Sequence, residues 1–132
     1  MKIEVSNGEI IDKYTILEIK RSQIKDEKKL VNVQHEYNTL TPVVKSIYAE
    51  VKQEDTLKKL HHDLLEVNKK LWKIEDDIRE CERAKDFGKT FIDLARAVYY
   101  TNDDRSTVKK EINTYTGSDL VEEKSYEDYK PE

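Results

Sequence analysis

A stretch of the chain between residues 94 and 113 holds the side chains best suited to binding a small charged molecule. Its sequence is LARAVYYTNDDRSTVKKEIN. In its first half, Arg96, Tyr99 and Tyr100 are three and four residues apart, so their side chains share one surface of a helix. An arginine binds phosphate or carboxylate, and a tyrosine ring packs against a flat group. The pattern predicts a surface for an anionic, nucleotide-like molecule, and the alternative is that Tyr99 packs in the core.

The second half of this stretch adds cations and amides. The polar run at residues 101–104, TNDD, interrupts the apolar pattern and predicts a helix cap, and the backbone N–H groups of the helix start that follows favour anions. On that next helix Arg105, Lys109 and Asn113 recur at every fourth residue and form what we call the basic ladder. We predict that Asn102 and the ladder bind the ligand. In the alternative, the acidic residues cap the helix while Arg105 and Lys109 lie in water.

A further candidate surface lies on the preceding helix. Asn68, Trp72, Glu75 and Arg79 are separated by four, three and four residues, so they form one edge of a helix. This edge can line a polar pocket inside a helical bundle, which adds Trp72 and Arg79 to the predicted ligand-binding residues. The alternative is a surface ion pair between Arg79 and Glu75.

No group of residues predicts catalysis or metal binding. The strings DFG and GKT at residues 86–90 lack the earlier glycine and the strand of a phosphate-binding loop, and Phe87 fits an apolar helical stripe. His61 and His62 are adjacent and point about 100° apart on a helix, so both cannot bind one ion. Cys81 occupies an apolar position, where a free cysteine behaves as a small hydrophobic residue. We predict no catalytic residue, no metal and no cofactor.

The elements that must position these residues are helices. Apolar residues at positions 57, 60, 64, 67, 71, 74, 78 and 81 alternate spacings of three and four, which is typical of a helix buried along one side. This seam predicts a central helix over residues 55–85, about 45 Å long at about 1.5 Å per residue. The predicted fold class is all-α, an antiparallel helical bundle built on this helix, with a long helical hairpin and extra helices as the alternative.

Shorter elements precede the central helix. Met1–Val5 alternates like a short strand or an extended arm, and Ser6 begins a cap cluster before a helix. The apolar stripe of that helix changes phase near residues 25–29, which predicts a bend or break. Thr41-Pro42 then predicts a helix end, because the residue before a proline is disfavoured in a helix, and Pro42 suits the first turn of a new short helix.

The carboxyl-terminal part is predicted to contain two helices and a tail. Apolar residues over 87–98 predict one helix, and those after the cap at 101–104 predict another that ends at Gly117, since glycine adopts the left-handed conformation easily. Residues 1–116 then form a single helical domain, and residues 117–132 form an acidic tail that carries the net charge of −4. A solvated tail is the simplest interpretation of that charge, and a docking peptide is the alternative.

Composition limits the partners and the compartment. The chain has 132 residues, with 24 Lys and Arg against 28 Asp and Glu, and this acidic balance argues against general nucleic-acid binding. One cysteine cannot form an internal disulfide, and neither a signal peptide nor a run of about 18 apolar residues is recognisable. We predict a cytoplasmic protein that binds neither nucleic acid nor membrane. The long seam also predicts a homo-oligomer, with a monomer covered by residues 10–40 as the alternative.

Four segments of the chain carry a family resemblance. They are SNGEIIDKYTILEIK, NKKLWKIEDDIRE, ARAVYYTNDDRSTVKKEIN and GSDLVEEKSY. Together they resemble a family of small helical proteins of unknown function, whose members occur in marine phages and in bacterial surface-polysaccharide gene clusters. The resemblance covers residues 2–126 and implies an α-helical, one-domain protein of the phage or bacterial cytosol, near sugar-nucleotide chemistry. It transfers no catalytic residue.

Three functions follow from these features. The first, which we predict, is a non-enzymatic binding protein for a nucleotide-like or other anionic small molecule; in a phage it would sequester a host nucleotide immune signal. The second is a helical interaction or assembly module. The third is a small enzyme of the chorismate-mutase type, because DKYTILEIK resembles the first-helix rhythm of that family. The predicted ligand-binding residues are Arg96, Tyr99, Tyr100, Asn102, Arg105, Lys109, Asn113, Trp72 and Arg79.

Overall fold

The computed structural model describes residues 1–129 and folds them into four helices: α1 (Asn7–Gln23), α2 (Glu27–Glu50), α3 (Glu54–Arg83) and α4 (Lys89–Thr116). No strand occurs in this range, so the predicted all-α class is confirmed. None of the four helices is long and apolar enough to cross a lipid bilayer. Residues 130–132, the end of the predicted acidic tail, lie outside the described residues.

The predicted central helix is confirmed as α3, which pairs with α4 in a long antiparallel hairpin. The loop of residues 84–88 joins the two helices at one end. Near the other end, the Tyr115 hydroxyl donates a hydrogen bond to the Gln53 carbonyl oxygen at 2.9 Å. α1 packs against both helices of the hairpin, and α2 folds back along α1. The result is a bundle in which the 30 residues of α3 form the longest element.

The core lies at the end of the bundle where all four helices meet. Buried apolar side chains from every helix contact one another there, and they are Ile11, Ile47, Leu57, Leu64 and Ile112. Leu57 and Leu64 belong to the predicted seam, so the seam faces inward at this end. Burying one such side chain contributes about 1.5–3 kcal/mol. This cluster therefore supplies much of the hydrophobic stabilisation that holds α1 and α2 on the hairpin.

Three predicted helix boundaries are confirmed. Ser6 caps α1, and its hydroxyl oxygen accepts a hydrogen bond from the Glu9 backbone N–H at 3.1 Å. Asp26 caps α2 within the predicted break, and its carboxylate accepts the Lys28 N–H at 2.9 Å. Gly117 ends α4 in the left-handed conformation, with a φ of 64°.

The predicted helix end at Thr41-Pro42 is wrong, because α2 continues through it. A proline inside a helix lacks the N–H that would bond one turn back, and this loss destabilises the helix. Here tertiary contacts on both sides of the proline outweigh that loss. The Thr41 hydroxyl lies 3.0 Å from the Tyr14 hydroxyl of α1, and Val44 and Ile47 are buried beyond Pro42.

The predicted cap at residues 101–104 is also wrong, since α4 runs without interruption through it. Asparagine and aspartate have weak helix propensity, but packing of a helix face routinely outweighs that preference. Thr101, at the start of the run, is buried. Arg96 and Arg105 therefore lie on one helix, whereas the predicted break places them on two. No helix start follows Asn102, so the backbone N–H groups there bond within the helix and are not free to bind an anion.

Two smaller predictions concern segments next to helices. Of the two alternatives for Met1–Val5, a short strand or an extended arm, the strand does not form, and the segment precedes α1 without regular secondary structure. Phe87 lies in the loop before α4 rather than on a helical stripe, because the helix begins only at Lys89. Its half-exposed ring makes an edge-to-face contact with Phe91, with 5.3 Å between the ring centroids.

The outer half of the hairpin is packed less tightly than the half that α1 covers. Residues 75–100, which we call the outer hairpin, include no buried residue. The seam nevertheless continues there through Ile78 and Cys81, which are partly exposed. Ile92 on α4 is 53% exposed. The outer hairpin therefore presents apolar side chains that the rest of the described chain does not cover.

Candidate ligand-binding site along the fourth helix

The basic ladder on α4 faces α1. Arg105 donates through Nε to the Asp12 carboxylate at 2.9 Å, and through Nη2 to the other oxygen of that carboxylate. Asp12 is 1% exposed, and it also accepts a hydrogen bond from the Asn68 amide at 2.9 Å. The same amide donates to the Thr15 hydroxyl at 2.8 Å. These residues form a polar network that joins α1, α3 and α4.

Lys109, one turn further along α4, lies between carboxylates from opposite ends of the chain. Its ammonium group is 2.6 Å from a Glu9 carboxylate oxygen on α1 and 3.0 Å from a Glu122 carboxylate oxygen in the tail. The Lys109 side chain is 10% exposed, whereas that of Glu122 is 56% exposed. The cation is therefore buried, and the tail carboxylate lies on its solvent side.

Asn113 completes the ladder at the start of α1. Its side-chain oxygen accepts the Gly8 backbone N–H at 2.6 Å. A Cβ on Gly8 would lie 2.5 Å from the Lys109 carbonyl oxygen, so the close approach of the two helices requires glycine. The three ladder residues thus fasten α1 to α4. The alternative that placed Arg105 and Lys109 in water is wrong for the same reason.

The sequence patterns do not indicate the partners of the ladder, which are Gly8, Glu9 and Asp12 of α1 and Glu122 of the tail. A signal for two of them exists. Glu9 and Asp12 are three residues apart on one face of α1, and Arg105 and Lys109 are four residues apart on one face of α4. When the two helices run antiparallel, the acidic pair can therefore meet the basic pair, Glu9 with Lys109 and Asp12 with Arg105. This complementarity becomes informative only when α1 and α4 are known to be antiparallel neighbours.

A cavity of about 460 Å³, the Trp72 cavity, lies between α1, α3 and α4. Its lining includes Trp72 and Arg79 of α3 and Asn102 and Arg105 of α4. The structure therefore brings four of the predicted ligand-binding residues to one place. The Arg79 guanidinium also pairs with the Glu75 carboxylate at 2.7 Å, so the surface ion pair forms at the edge of the same cavity.

A second cavity of about 690 Å³, the tail cavity, lies between α4 and the tail. Tyr99, Asn102, Arg105 and Lys109 contribute to its α4 wall. Asn102 and Arg105 line both cavities, so the two are adjacent along α4. An extended ligand can therefore contact both of them.

The tail forms the other wall of the tail cavity. Residues 119–129 are all exposed, yet they lie along α4. The hydroxyl groups of Tyr126 and Tyr129 both donate to the Asp103 carboxylate, and the Tyr129 hydroxyl oxygen also lies 3.2 Å from the Tyr99 carbonyl oxygen. The Tyr129 ring contacts the Tyr99 ring edge to face, with 5.1 Å between centroids. Exposed side chains, rather than a buried apolar surface, therefore hold the tail against the helix.

Three predicted residues line neither cavity, namely Arg96, Tyr100 and Asn113. The Arg96 guanidinium carbon is 6.0 Å from the centroid of the Tyr100 ring. The Tyr100 ring in turn stacks on Tyr99, with 5.3 Å between centroids, and contacts the edge of Tyr129 at 5.4 Å. Of the tyrosine pair, only Tyr99 is therefore available at a cavity.

Ion pairing keeps the groups of the site charged. The hydrogen bonds to Asp12 raise the pKa of Arg105 above its ordinary value. Burial alone would lower the pKa of Lys109, but hydrogen bonds to Glu9 and Glu122 outweigh burial and raise it. The same contact with Lys109 lowers the pKa of Glu122. The buried ammonium and the tail carboxylate are therefore both ionised at neutral pH.

The remaining reactive side chains lie away from the two cavities. His61 Nδ1 is 2.9 Å from the Tyr48 hydroxyl, and its Nε2 is 3.4 Å from the Glu18 carboxylate. Cys81 is a partly exposed free cysteine on α3. Within residues 1–129, no three His, Cys, Asp or Glu side chains are grouped so that they could hold a metal ion.

Comparison with known proteins places the chain in a family without supplying a function. A family model described as a family of unknown function (DUF6165) matches residues 1–130. No curated protein and no solved structure matches the chain. A functional conclusion must therefore be built on the geometry along α4.

Proposed function

The chain belongs to this family of unknown function, and we propose that it is a non-enzymatic binding protein for a nucleotide-like anionic small molecule. One observation carries the proposal: Asn102 and Arg105 line both the Trp72 cavity and the tail cavity. A single ligand can place a flat group in the first and an anionic group in the second, with Arg105 between them.

The Trp72 cavity suits the flat part of such a ligand. An indole ring offers a stacking surface, and base–aromatic stacking contributes about 1–3 kcal/mol per base in nucleic-acid-binding proteins. The amide of Asn102 lines the same cavity, whereas the NH2 group of Asn68 is already used by Asp12 and Thr15. An amide can pair with the edge of a base through one donor and one acceptor. The volume of about 460 Å³ lies within the range of small-molecule pockets, about 300–1,000 Å³.

The tail cavity suits the anionic part. Lys109 brings a buried ammonium group to it, and Arg105 lies one turn away on the same wall. Arg105 directs Nε and Nη2 to Asp12, but a guanidinium group carries five N–H donors, so others remain for an oxyanion. Hydrogen bonds between such cations and a phosphate are among the strong ones in proteins.

The family resemblance suggests a biological role for such a binding protein. In a phage, a protein of this kind would bind a host nucleotide signal and keep it from its effector. The bacterial cytoplasm, where such a signal acts, is the compartment that we propose for the protein.

Tryptophan fluorescence offers a direct test. Trp72 is the only tryptophan in the chain, so its emission reports on the Trp72 cavity. We expect a bound nucleotide to change this emission and to add its mass to the protein in native mass spectrometry. The panel contains mononucleotides, cyclic dinucleotides and nucleotide sugars, with the corresponding nucleosides to separate the base from the phosphate. A panel that changes neither the emission, the mass nor the melting temperature contradicts the proposal.

Asn102→Leu is the sharpest variant for this test. It removes the amide shared by both cavities and leaves the Asp12–Arg105 ion pair intact, so it should weaken binding about tenfold without unfolding the protein. Asn38→Leu makes the same chemical change on the exposed face of α2, where Asn38 contacts Gln34, and should leave binding unchanged. If both variants bind equally well, the site lies elsewhere.

A second candidate function, assembly into a homo-oligomer, is favoured by the outer hairpin. Its apolar side chains are exposed or partly exposed over residues 75–100. Two outer hairpins packed side by side would form a four-helix arrangement that covers Ile78 and Ile92. Exposed charges there already pair within the chain, as Lys89 does with Asp93 at 2.6 Å, so a second copy would meet a surface of mixed charge.

Sedimentation velocity tests this assembly. We expect the wild-type protein to form a dimer or larger oligomer, and Ile92→Glu to shift it toward the monomer. Val31→Glu is the matched control, because Val31 is also exposed but lies on α2, outside the outer hairpin. A wild-type protein that remains monomeric at high micromolar concentration excludes this function.

A further inference from the structure

We infer that the tail is a built-in competitor for the ligand: the Glu122 carboxylate occupies, at Lys109, the position of an oxyanion, and a phosphate group of the ligand displaces it. This inference rests on the proposed function, because it concerns the anionic end of the same site. It adds the chemical class of the group that binds there, a multiply charged oxyanion. It also assigns a regulatory role to residues 117–129.

The two carboxylates that hold Lys109 are not equivalent. Glu9 belongs to α1, whose start is fixed to α4 by the contact between Gly8 and Asn113. Glu122 belongs to the tail, which has no regular secondary structure; the two side chains are exposed to a similar degree, 45% for Glu9 and 56% for Glu122, so the difference between them lies in the backbone that carries them. An incoming anion therefore replaces Glu122, while Glu9 keeps its contact with the buried ammonium group.

The described part of the tail is tied to α1 and α4 at Ser118, and beyond that residue only surface side chains hold it, among them Glu122, Tyr126 and Tyr129. The Ser118 hydroxyl accepts a hydrogen bond from the Asn7 backbone N–H at 3.1 Å, and the Ser118 N–H donates to the Asn113 carbonyl oxygen at 2.9 Å. Every residue from 119 to 129 is exposed. Since exposed ion pairs and hydrogen bonds contribute little stability, the tail can swing away about Gly117 and Ser118 without disturbing the core.

The contact at Lys109 explains why a multiply charged group is needed. Glu122 already satisfies one side of the ammonium group. A phosphate dianion offers more charge and more acceptor oxygens than a carboxylate, so it competes there where a singly charged carboxylate does not. Residues 119–129 carry a net charge of −4, so the repulsion between the bound anion and the tail then drives the tail away from α4.

Two adjacent glutamates provide a matched pair of variants. Glu122 contacts the buried Lys109 and lines the tail cavity. Glu123 contacts the exposed Lys110 at 3.1 Å and does not line that cavity. Glu122→Gln and Glu123→Gln remove the same charge from neighbouring positions. A difference between them therefore reports the contact between Glu122 and Lys109 rather than the net charge of the tail.

The experiment measures binding of inorganic tripolyphosphate to the full chain by isothermal titration calorimetry. If Glu122 occupies the site in most molecules, the apparent affinity for tripolyphosphate equals the intrinsic affinity multiplied by the fraction of molecules in which Glu122 has left Lys109. We therefore expect Glu122→Gln to bind about five- to tenfold more tightly than the wild type, and Glu123→Gln to bind less than about twofold more tightly. Equal affinities of the two variants, or no binding of tripolyphosphate by any of the three proteins, would overturn the inference.

NMR chemical shifts supply an independent readout of the tail. Saturating tripolyphosphate should move the amide shifts of the tail in the wild-type protein toward those of a free segment and leave the amide shifts at the Gly8–Asn113 contact unchanged. Tripolyphosphate that binds while the tail shifts stay the same also overturns the inference.

The two proposals can fail separately. Nucleotides that change Trp72 emission equally in all three proteins would support the function and reject the competition. If Glu122→Gln binds tripolyphosphate more tightly than the other two proteins, but nucleotides do not change Trp72 emission in any of them, the competition by the tail is supported and the nucleotide-binding function is rejected.

Discussion

Asp12 and Arg105, 93 residues apart in the chain, form a two-bond ion pair between α1 and α4. The Asp12 side chain is 1% exposed, whereas that of Arg105 is 28% exposed. The pair is therefore buried on the α1 side and accessible on the side of the two cavities. Because a two-bond contact fixes the plane of the guanidinium group, Arg105 has a defined orientation between the Trp72 cavity and the tail cavity.

Replacing Asp12 by asparagine should destabilise the fold strongly. The substitution keeps the shape but removes the charge, so Arg105 loses its partner inside the bundle. We expect a loss of about 3 kcal/mol, at the lower end for a broken buried pair because Arg105 can still be hydrated. Urea unfolding followed by circular dichroism gives the value. Asp93→Asn, which breaks the exposed pair with Lys89, should cost less than about 0.5 kcal/mol. Similar losses of unfolding free energy in the two variants would show that the ion pair of Asp12 contributes no more to stability than an exposed pair.

A methyl group at Gly8 should also destabilise the protein. The Cβ of Gly8→Ala would lie 2.5 Å from the Lys109 carbonyl oxygen and 2.9 Å from the Asn113 side-chain oxygen, so α1 and α4 must separate. We expect a cost of about 1–3 kcal/mol in thermal or urea unfolding. Gly88→Ala is the control, because the nearest atom to its Cβ would be an ordinary contact 3.4 Å away. A Gly8→Ala protein as stable as the control would contradict the close contact.

The sequence predicts the long helices well because their signal is local. The seam between Leu57 and Cys81 repeats at helical spacing, and α3 (Glu54–Arg83) follows it closely. The same holds for the cap at Ser6 and the glycine at the end of α4. Each of these features depends only on residues within one or two helical turns, so the pattern is visible without knowing any tertiary contact.

The site is predicted less completely because its contacts are not local. The spacing of Arg105 and Lys109 correctly marks one helix face, but the residues that this face contacts are about 100 positions away, in α1. The polar run at residues 101–104 illustrates the same limit. Its composition favours a cap, and the burial of Thr101 within the bundle, which no local pattern shows, accompanies the continuation of the helix.

Replacing Pro42 by alanine should stabilise the protein. Pro42 is exposed in the interior of α2 and has no N–H for the carbonyl oxygen of Asn38. Alanine restores this hydrogen bond and has the highest helix propensity, although a proline also restricts the unfolded chain. We expect a net gain of about 1–2 kcal/mol in the free energy of unfolding, visible as a higher melting temperature. A loss of stability would indicate that the geometry of α2 around the proline is itself required.

The tail should detach from α4 as the pH falls. Its contact with Lys109 lowers the pKa of Glu122 from the ordinary 4.5, so this stabilisation is complete above pH 4.5 and is lost as the pH falls through the lower, folded-state pKa. The pKa of Lys109 is raised from 10.5, so its contribution is complete below that pH and is lost only as the pH rises through the higher value. NMR shifts of the tail amides, followed from about pH 7 to about pH 3, should therefore change below pH 4.5 in the wild type and in Glu123→Gln. Glu122→Gln should show the low-pH shifts around residue 122 already at neutral pH, and wild-type shifts there in this variant would contradict the role of the Lys109 contact.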